Sequence, residues 1–163
     1  MRRGGGRVHH DPDERHRADV ASWGLDLTTD FGKRVERRLR SAPLIWLTTV
    51  DPKGAPQPSP VWFLWNGSEI LIYSEPDKPK LRNIEQNPRV SLHFDGDGQG
   101  GDIVIIRGQA RIAMAEPPAT DVPDYARKYD AGGFYKRTGF SGAAFARRYS
   151  VPILVAPAGL RGH

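Results

Sequence analysis

Apolar residues recur with two different periods along the chain, and these periods predict where helices and strands lie. A four-residue spacing starts near the beginning of the folded part and predicts an amphipathic helix that runs to about Arg40. The apolar positions of this helix are Leu27, Phe31, Val35 and Leu39. Thr28 or Thr29 suits the N-cap, and Asp30 falls in the first turn, where a negative charge stabilises a helix.

Beyond this helix, runs of β-branched and aromatic residues predict six strands. The runs fall at residues 44–50, 56–65, 70–73, 90–94, 103–113 and 151–155. Gly54 can adopt a positive φ in the first turn, and Asn66-Gly67 is a strong hairpin signal. Further helices are predicted after Pro79, from residue 115 to about 128, and at 140–148. Six strands with short turns and flanking helices indicate an antiparallel barrel or half-barrel.

The strand predicted at residues 56–65 has two features that set it apart. Pro58 and Pro60 are two residues apart, so the donors that they lack fall on one edge, which cannot be fully paired. After Pro60 both faces are apolar. One face carries Val61, Phe63 and Trp65, and the other carries Trp62 and Leu64. One face can fill the barrel, whereas the other needs a helix, a second subunit or a flat ligand, unless this is simply a core strand.

The length of 163 residues fits a single domain with a proper core. Residues 1–21 hold too few apolar side chains to bury, so we predict a flexible tail there and a folded domain at 22–163. The three histidines of the tail lack the spacing of a metal site, and no metal is expected. The absence of cysteine excludes disulfides, iron-sulfur clusters and thiol catalysis.

The net charge of +5 does not indicate a nucleic-acid partner. Residues 1–40 contain 10 Lys and Arg against 7 Asp and Glu, which leaves 14 against 12 for the remainder. The basic cluster at 33–40 lies on the solvent face of the predicted helix and has no interleaved aromatic residues for base stacking. The sequence also shows no membrane-spanning run and no secretory signal, so we expect a cytoplasmic protein.

The stretch at residues 73–84 joins an apolar strand to a short helix and concentrates positive charge at the junction. Pro79 suits the first helical turn, where its missing donor costs nothing. Ser74, Lys78, Lys80 and Arg82 supply one hydroxyl group and three positive charges, which is what a phosphate group requires. A solvated charged turn is the alternative explanation for the same residues.

The order of these motifs resembles the pyridoxamine 5'-phosphate oxidase-like split β-barrel family. The matching motifs are the turn at 51–56, the strand at 58–63, the hairpin at 66–67, the Tyr73-Ser74 pair and the stretch at 78–90. The resemblance extends from about Leu27 to the C-terminus, and it is closest to an actinobacterial branch that uses the deazaflavin coenzyme F420. It implies a mainly β fold with flanking helices and a homodimer with two cofactors at the subunit interface.

The resemblance also implies roles for particular residues. The expected phosphate contacts are Ser74, Lys78 and Lys80, with Arg82 and Asn83 in the same motif. The residues expected along the tricyclic ring are Pro60, Val61 and Trp62. The C-terminal region is where relatives differ, and no motif assigns it. Its candidates for the substrate side are Tyr125, Lys128, Tyr129 and Phe134.

The function that the resemblance implies is that of an F420-dependent reductase, which transfers hydride between the deazaflavin and a small electrophilic substrate. The cofactor carries the chemistry, so no catalytic side chain is needed, and the sequence shows no Ser/His/Asp elbow, paired-carboxylate motif or P-loop. Three alternatives remain: an FMN-dependent oxidase-like enzyme, a haem-binding relative and a non-catalytic F420 carrier. His93 is the only histidine in the predicted barrel and is expected at the surface, which disfavours haem.

We expect the protein to bind F420 more tightly than FMN because of the groups that F420 carries beyond its phosphate. The coenzyme continues into a lactate and an acidic oligoglutamate tail. Arg82, Arg89 and the basic helix at 33–40 are expected to give that tail favourable surroundings if a dimer brings them near. Exposed ion pairs contribute only about 0 to 1 kcal/mol each and are screened by salt. The preference should therefore weaken as the salt concentration rises.

Overall fold

Seven strands form one antiparallel sheet in the computed structural model, which describes residues 22–163. The strands are β1 (Ile45–Val50), β2 (Pro56–Val61), β3 (Phe63–Trp65), β4 (Ile70–Ser74), β5 (Arg89–His93), β6 (Val104–Ile112) and β7 (Val151–Gly162). Their order across the sheet is β2-β1-β5-β6-β7-β4-β3. The predicted tail at residues 1–21 lies outside the described residues.

The sheet closes into a barrel because its two edge strands are neighbours in the chain. β2 pairs only with β1, β3 pairs only with β4, and Trp62 alone separates β2 from β3. One residue cannot span an open sheet of seven strands, which lie about 4.8 Å apart. The edges must therefore meet along a seam at Trp62. The fold is a mainly β split barrel with flanking helices, as predicted.

Five helices flank the barrel within the described residues. They are α1 (Asp30–Ser41), α2 (Pro79–Gln86), α3 (Pro123–Ala131), α4 (Phe134–Thr138) and α5 (Gly142–Arg148). Thr29 is the N-cap of α1, and its hydroxyl accepts a hydrogen bond from the Gly32 amide at 3.0 Å. Val35 and Leu39 are fully buried, which confirms the predicted apolar face. Between residues 22 and 163, no helix has the length and apolar character that a membrane crossing requires.

Several element boundaries differ from the sequence prediction. The helix expected from residue 115 begins only at Pro123, because Pro118 has an extended backbone and a 3-10 turn at Ala119–Asp121 follows it. The expected strand at 56–65 is interrupted at Trp62, so the sheet has seven strands rather than six. β7 continues to Gly162 because it pairs with the whole of β6. The helix α4 was not predicted.

The hairpin between β3 and β4 forms where Asn66-Gly67 predicts it, but its loop contains four residues. Trp65 pairs with Ile70, which leaves residues 66–69 in the loop. The Asn66 side chain accepts hydrogen bonds from the backbone amides of Ser68 at 3.0 Å and Glu69 at 2.8 Å. Gly67 has a φ of 104°, which glycine adopts without strain. The Asn66 side chain therefore sets the shape of this turn, because it accepts hydrogen bonds from two backbone amides of the loop.

The segment at 61–65, called the seam strand from here on, has two apolar faces that are buried in different places. Phe63 and Trp65 point into the barrel and are 0% and 4% exposed. Trp62 and Leu64 point outwards and pack in a second apolar cluster formed by α3, α4 and α5. The outer face is thus covered by helices of the same chain. Met114 is the single large hydrophobic side chain that is mostly exposed among residues 22–163, so this strand does not itself require a second subunit.

Two side chains of helix α3 stabilise the seam through hydrogen bonds to backbone groups near Trp62. The Tyr129 hydroxyl accepts a hydrogen bond from the Phe63 amide at 2.7 Å and lies 2.9 Å from the carbonyl oxygens of Pro43 and Phe63. The Lys128 Nζ atom donates to the same Phe63 carbonyl at 2.9 Å. Backbone groups where the ladder changes partners would otherwise be left unpaired. These two side chains therefore stabilise barrel closure.

Lys128 should make the stability of the protein depend on pH. Burial lowers the pKa of its ammonium group to about 7, while contacts with the Phe63 carbonyl and ring favour the charged form. Between pH 7 and about 10.5 the unfolded chain therefore binds a proton that the folded chain lacks. The free energy of unfolding should rise with pH across this window.

The test compares the wild-type chain with a Lys128→Met variant in urea unfolding at several pH values from 6 to 9.5. We expect the difference in unfolding free energy to change by about 1 to 2 kcal/mol in favour of the wild type as the pH rises, less than the full shift because the side chain is partly solvated. Tyr129 still bonds to the Phe63 carbonyl in the variant, so the seam keeps one partner. Parallel pH profiles would contradict the prediction.

Candidate cofactor-binding site

A cavity of about 300 Å³ opens at the barrel seam, between the end of β4 and the helices α4 and α5. Six of the eight residues predicted to contact a cofactor line it. They are Pro60, Val61, Trp62, Ser74, Lys78 and Lys80. These residues come from two separate segments of the sequence, and the cavity is the place where the fold brings them together. Its volume is at the lower end of the range for small-molecule sites.

Strand pairing explains this convergence. β3 and β4 are antiparallel, and Phe63 pairs with Ile72. The start of β3 therefore lies beside the end of β4. Trp62 precedes the first strand position and Ser74 ends the second, so the aromatic ring and the charged turn at residues 75–78 become neighbours. The sequence places a flat apolar wall and a cationic turn on two sides of one opening.

Lys80 is the cation of the cavity that has no partner. Its side chain is half-buried and makes no hydrogen bond or ion pair within residues 22–163. Burial lowers the pKa of its ammonium group, and the nearby positive charge of Lys78 adds to that effect. An anion bound in the cavity would offset both unfavourable contributions. Lys80 is thus well suited to hold a phosphate group.

Glu75 is an acidic residue at the cationic turn that the sequence analysis did not single out. Its carboxylate pairs with Lys78 Nζ at 2.9 Å and with Arg148 Nε at 2.6 Å. Hydrogen bonds from these two side chains lower the pKa of the Glu75 carboxyl group. Arg148 belongs to α5, so the ion pair links the C-terminal helices to the turn. Glu75 also lines the cavity.

Ser74 lies on the cavity wall but its hydroxyl group is already engaged. The residue is 3% exposed, and its Oγ atom donates to the Glu75 carbonyl at 2.9 Å. A phosphate contact from this hydroxyl requires it to exchange that backbone acceptor for the ligand. Ser74 therefore lies at the cavity without a free donor, and its contact with a phosphate stays a prediction.

Arg82 and Asn83 lie outside this cavity, unlike the other six predicted contacts. The Asn83 side chain is buried and donates to the Thr49 hydroxyl at 3.0 Å, which fixes α2 to β1. Arg82 Nη1 donates to the carbonyl of Asp77 at 3.1 Å. Asp77 has a φ of 60°, which is unusual for a residue other than glycine. In this structure both side chains hold the turn in shape instead of facing the cavity.

The four substrate-side candidates also lie away from the cavity wall. Tyr125 and Tyr129 are fully buried in the aromatic cluster, and Lys128 bonds to the seam. Phe134 packs edge-on to Trp62 with a ring distance of 6.3 Å. A direct contact of these residues with a substrate in this cavity is not seen. Their role on the substrate side stays a prediction.

Residues from α4 and α5 form the side of the cavity opposite the strands. This side is formed by Thr138, Phe140, Phe145 and Tyr149, whereas Leu44 before β1 and Tyr73 of β4 line the cavity from the sheet; the sequence analysis assigned none of these six to the site. Phe145 and Tyr149 are four residues apart, and their rings stack at 4.5 Å. That spacing is the signal of a common helical face, and it was visible at the end of the segment predicted to be helical at 140–148, one residue beyond its last position.

Trp62 is held rigidly at the junction of barrel and helices. Its ring is parallel to that of Tyr129, with centroids 4.5 Å apart and planes 6° apart. On the Phe145 side the centroid distance is 5.0 Å and the interplanar angle is 16°. Stacked aromatic pairs of this kind each contribute about 0.5 to 1.5 kcal/mol beyond the area that they bury. The cavity wall is therefore preformed at this point.

The basic helix α1 offers less free charge than its sequence suggests. Arg34 and Arg38 both pair with Asp102, and Arg40 pairs with Glu36. Lys33 lies 3.9 Å from Asp30. These local pairs reduce the attraction that α1 can exert on an acidic cofactor tail. Fewer cations than expected are therefore available on α1 to attract the acidic tail of F420.

His93 lies on the outer face of the sheet, as expected from the polar character of that face. Its ring stacks on Trp46 with centroids 6.2 Å apart and planes 6° apart. Its Nδ1 atom is 3.3 Å from the Phe94 carbonyl. It does not line the cavity, whose described wall contains no histidine. An axial haem ligand at this site would therefore have to be another kind of residue.

Comparison with known proteins establishes the family. A family model described as pyridoxamine 5'-phosphate oxidase matches residues 31–145, which is more than half of the chain. The chain belongs to the pyridoxamine 5'-phosphate oxidase family. The match includes the seam, the charged turn and α5 up to Phe145. No curated protein matches the sequence.

Solved structures show the same split barrel in proteins of different function. A structure named F420 reductase is 27% identical, with a TM-score of 0.57, and the alignment covers 77% of this chain and 94% of that one. A Listeria innocua protein, provisionally assigned as a pyridoxamine 5'-phosphate oxidase, is 21% identical, with a TM-score of 0.56 and coverages of 79% and 94%. HutZ, the haem storage protein of Vibrio cholerae, is 18% identical, with a TM-score of 0.57 and coverages of 82% and 95%. The last two similarities concern the fold alone.

Proposed function

We propose that this family member is an F420-dependent reductase that binds the deazaflavin in the seam cavity and transfers hydride to a small electrophilic substrate. The observation that carries the proposal is the convergence of Trp62, Lys78 and Lys80 on one opening. An apolar wall that includes the edge of the Trp62 ring lies beside two lysines, and this combination suits a tricyclic ring joined to a phosphate. The similarity to a structure named F420 reductase agrees with this choice.

Each part of the cavity has a task in this proposal. Lys78 and Lys80 hold the phosphate, and Val61 and Trp62 support the ring. When bound, the deazaflavin supplies a hydride-transferring carbon centre, so the protein needs no acid or base of its own. Phe140, Phe145 and Tyr149 form an apolar cover that excludes water and limits the space for an acceptor. Catalysis then depends on holding cofactor and acceptor in contact.

An FMN-dependent enzyme is the second candidate, because FMN presents a similar ring and ribityl phosphate to the same wall. The family description, pyridoxamine 5'-phosphate oxidase, favours this alternative. A non-catalytic carrier would bind the deazaflavin in the same way but transfer no hydride. A haem-binding protein would bind neither flavin, and the described cavity offers no histidine as an axial ligand.

Parallel fluorescence and absorbance titrations of the full chain with F420, FMN and haem separate these candidates. We expect F420 to bind more tightly than FMN at low salt, with the difference shrinking at high salt. Hydride transfer from the reduced deazaflavin to a quinone-like acceptor then distinguishes an enzyme from a carrier. Tighter binding of FMN, with no detectable F420 complex, would move the protein to the oxidase branch.

We further propose that the protein is a homodimer, as the family resemblance implies, and that it acts in the cytoplasm. The apolar seam strand no longer supports this proposal, because α3, α4 and α5 cover Trp62 and Leu64. The prediction is a particle of twice the 18.1 kDa chain mass in multi-angle light scattering at micromolar concentration. A monomer that binds the cofactor with full affinity would contradict it.

A further inference from the structure

We propose that Glu75 tunes which phosphate ester the cavity accepts, because its carboxylate weakens the binding of a doubly charged phosphomonoester more than that of a singly charged phosphodiester. The inference rests on the proposed function, since it concerns the phosphate site of the same cavity. It starts from the charges on the cavity wall and at its rim. Three cations, Lys78, Lys80 and Arg148, are accompanied by one carboxylate, that of Glu75.

The pairing of these groups is uneven. Glu75 binds Lys78 at 2.9 Å and Arg148 at 2.6 Å, so a single carboxylate occupies two of the three cations. Lys80 remains the cation without an ion pair among the described residues of the site. Glu75 thus lowers the net charge of these four side chains from +3 to +2 and holds two of the three cations in ion pairs. A second negative charge on the ligand would have to compete with Glu75 for Lys78 or Arg148.

The position of Glu75 makes this competition unavoidable. Its carboxylate belongs to the turn that carries Lys78, and the residue itself lines the cavity. Arg148 approaches from α5 on the other side. A dianion that displaces Glu75 leaves a carboxylate without partners, and a dianion that does not displace it lies near a like charge. Both arrangements disfavour the second charge of the ligand.

This charge difference separates the two candidate cofactors chemically. FMN ends in a phosphomonoester, which carries between 1.5 and 2 negative charges at neutral pH by the usual phosphate pKa values, or about 2 at pH 8. In F420 the phosphate is esterified on both sides and carries one. A carboxylate in this position therefore acts against FMN while leaving the shared ring and ribityl contacts unchanged. It provides selectivity through repulsion of the wrong ligand.

The experiment compares FMN with its phosphate monomethyl ester, which has the same ring and ribityl chain but one charge fewer. Fluorescence titrations at pH 8 give the ratio of the two dissociation constants for the wild-type chain and for Glu75→Gln. Removing one nearby charge should move this ratio about tenfold in favour of FMN. Glutamine keeps the shape of the side chain, and thermal melts verify that the variant is folded.

Arg148→Gln is the matched variant that separates charge from position. If Glu75 acts through its charge, loss of its Arg148 partner frees the carboxylate and shifts the ratio in the opposite direction, against FMN. If the ion pair only positions α5, both variants change the two dissociation constants equally and the ratio stays constant. A constant ratio in both variants, or a shift of the same sign in both, would overturn the proposal.

The failure of the proposed function has a different signature. In that case F420 and both flavin esters either do not bind the wild-type chain or bind it independently of Lys78 and Lys80. The phosphate site is then located elsewhere, and the role of Glu75 falls with it. If binding depends on Lys78 and Lys80 but Glu75→Gln does not change the ratio of the two dissociation constants, only the inference about selectivity fails.

Discussion

Replacing Lys78 and Lys80 together with alanine is expected to weaken cofactor binding about a hundredfold. A charge-assisted hydrogen bond contributes about 1.5 to 3 kcal/mol, and the lower value applies here because Lys78 is exposed and shared with Glu75. Two such bonds give about 3 kcal/mol, which corresponds to a little over two orders of magnitude in the dissociation constant. Lys80 should account for the larger share, since it is half-buried and unpaired.

The measurement is a fluorescence titration with F420 and with FMN at low and moderate salt. A Lys53→Ala/Lys136→Ala variant is the matched control, because it removes two exposed lysines that do not line the cavity. The control should bind with nearly wild-type affinity, apart from a small salt-dependent loss from the lower net charge. Equal losses in the two double variants would show that the lysines act only through the overall charge.

Replacing Trp62 with alanine should destabilise the protein and weaken cofactor binding at the same time. The substitution removes the ring that packs between Tyr129 and Phe145, so it opens a gap between the barrel and the helices. Truncation of a buried aromatic residue costs about 3 to 5 kcal/mol, and about 3 kcal/mol is expected for this partly exposed ring. The cavity also loses the part of its wall that this ring forms, so the affinity for either flavin should fall at least about tenfold.

Urea unfolding and fluorescence titration measure the two effects separately. Trp62→Phe keeps an aromatic ring and should retain most of the stability and binding. Met114→Ala serves as a control for loss of an exposed apolar side chain, with little expected change in either quantity. A Trp62→Ala protein that loses stability but binds the cofactor normally would confine Trp62 to a structural role.

The sequence predicted the barrel because its strands follow local rules. Alternating or continuous β-branched runs and the turn residues Gly54 and Asn66 identify strands and hairpins without knowledge of the rest of the chain. Lys78 and Lys80 were predicted to lie at one site for the same reason, since they are two residues apart at the start of α2, and both line the cavity. The interruption at Trp62 was missed because it depends on which strands pair with β2 and β3, a property of the closed sheet.

The remaining differences also come from tertiary contacts. Lys128 and Tyr129 carry no sequence signal that distinguishes a cavity residue from one that bonds to the Phe63 backbone. In the sequence, Glu75 looks like part of a solvated turn, and only the fold brings Arg148 of α5 within 2.6 Å of it. The sequence leaves open whether a helix, a second subunit or a flat ligand covers Trp62, because local reasoning does not show that helices later in the chain pack on it.

The connection between β6 and β7 has a consequence for how this family diversifies. Ile112 and Ile153 are direct partners in the sheet, so the whole segment at 113–150 leaves and re-enters the barrel at nearly one point. Changes in the length or sequence of this segment should disturb the strands little, because the pairing of β6 with β7 already holds its two ends together. Evolution can therefore exchange this segment almost as a module, as long as contacts like those of Lys128 and Tyr129 with the seam persist. Replacement of this one insertion would then reshape the side of the cavity that Thr138, Phe140, Phe145 and Tyr149 form, while the side that the strands and the charged turn form stays in place.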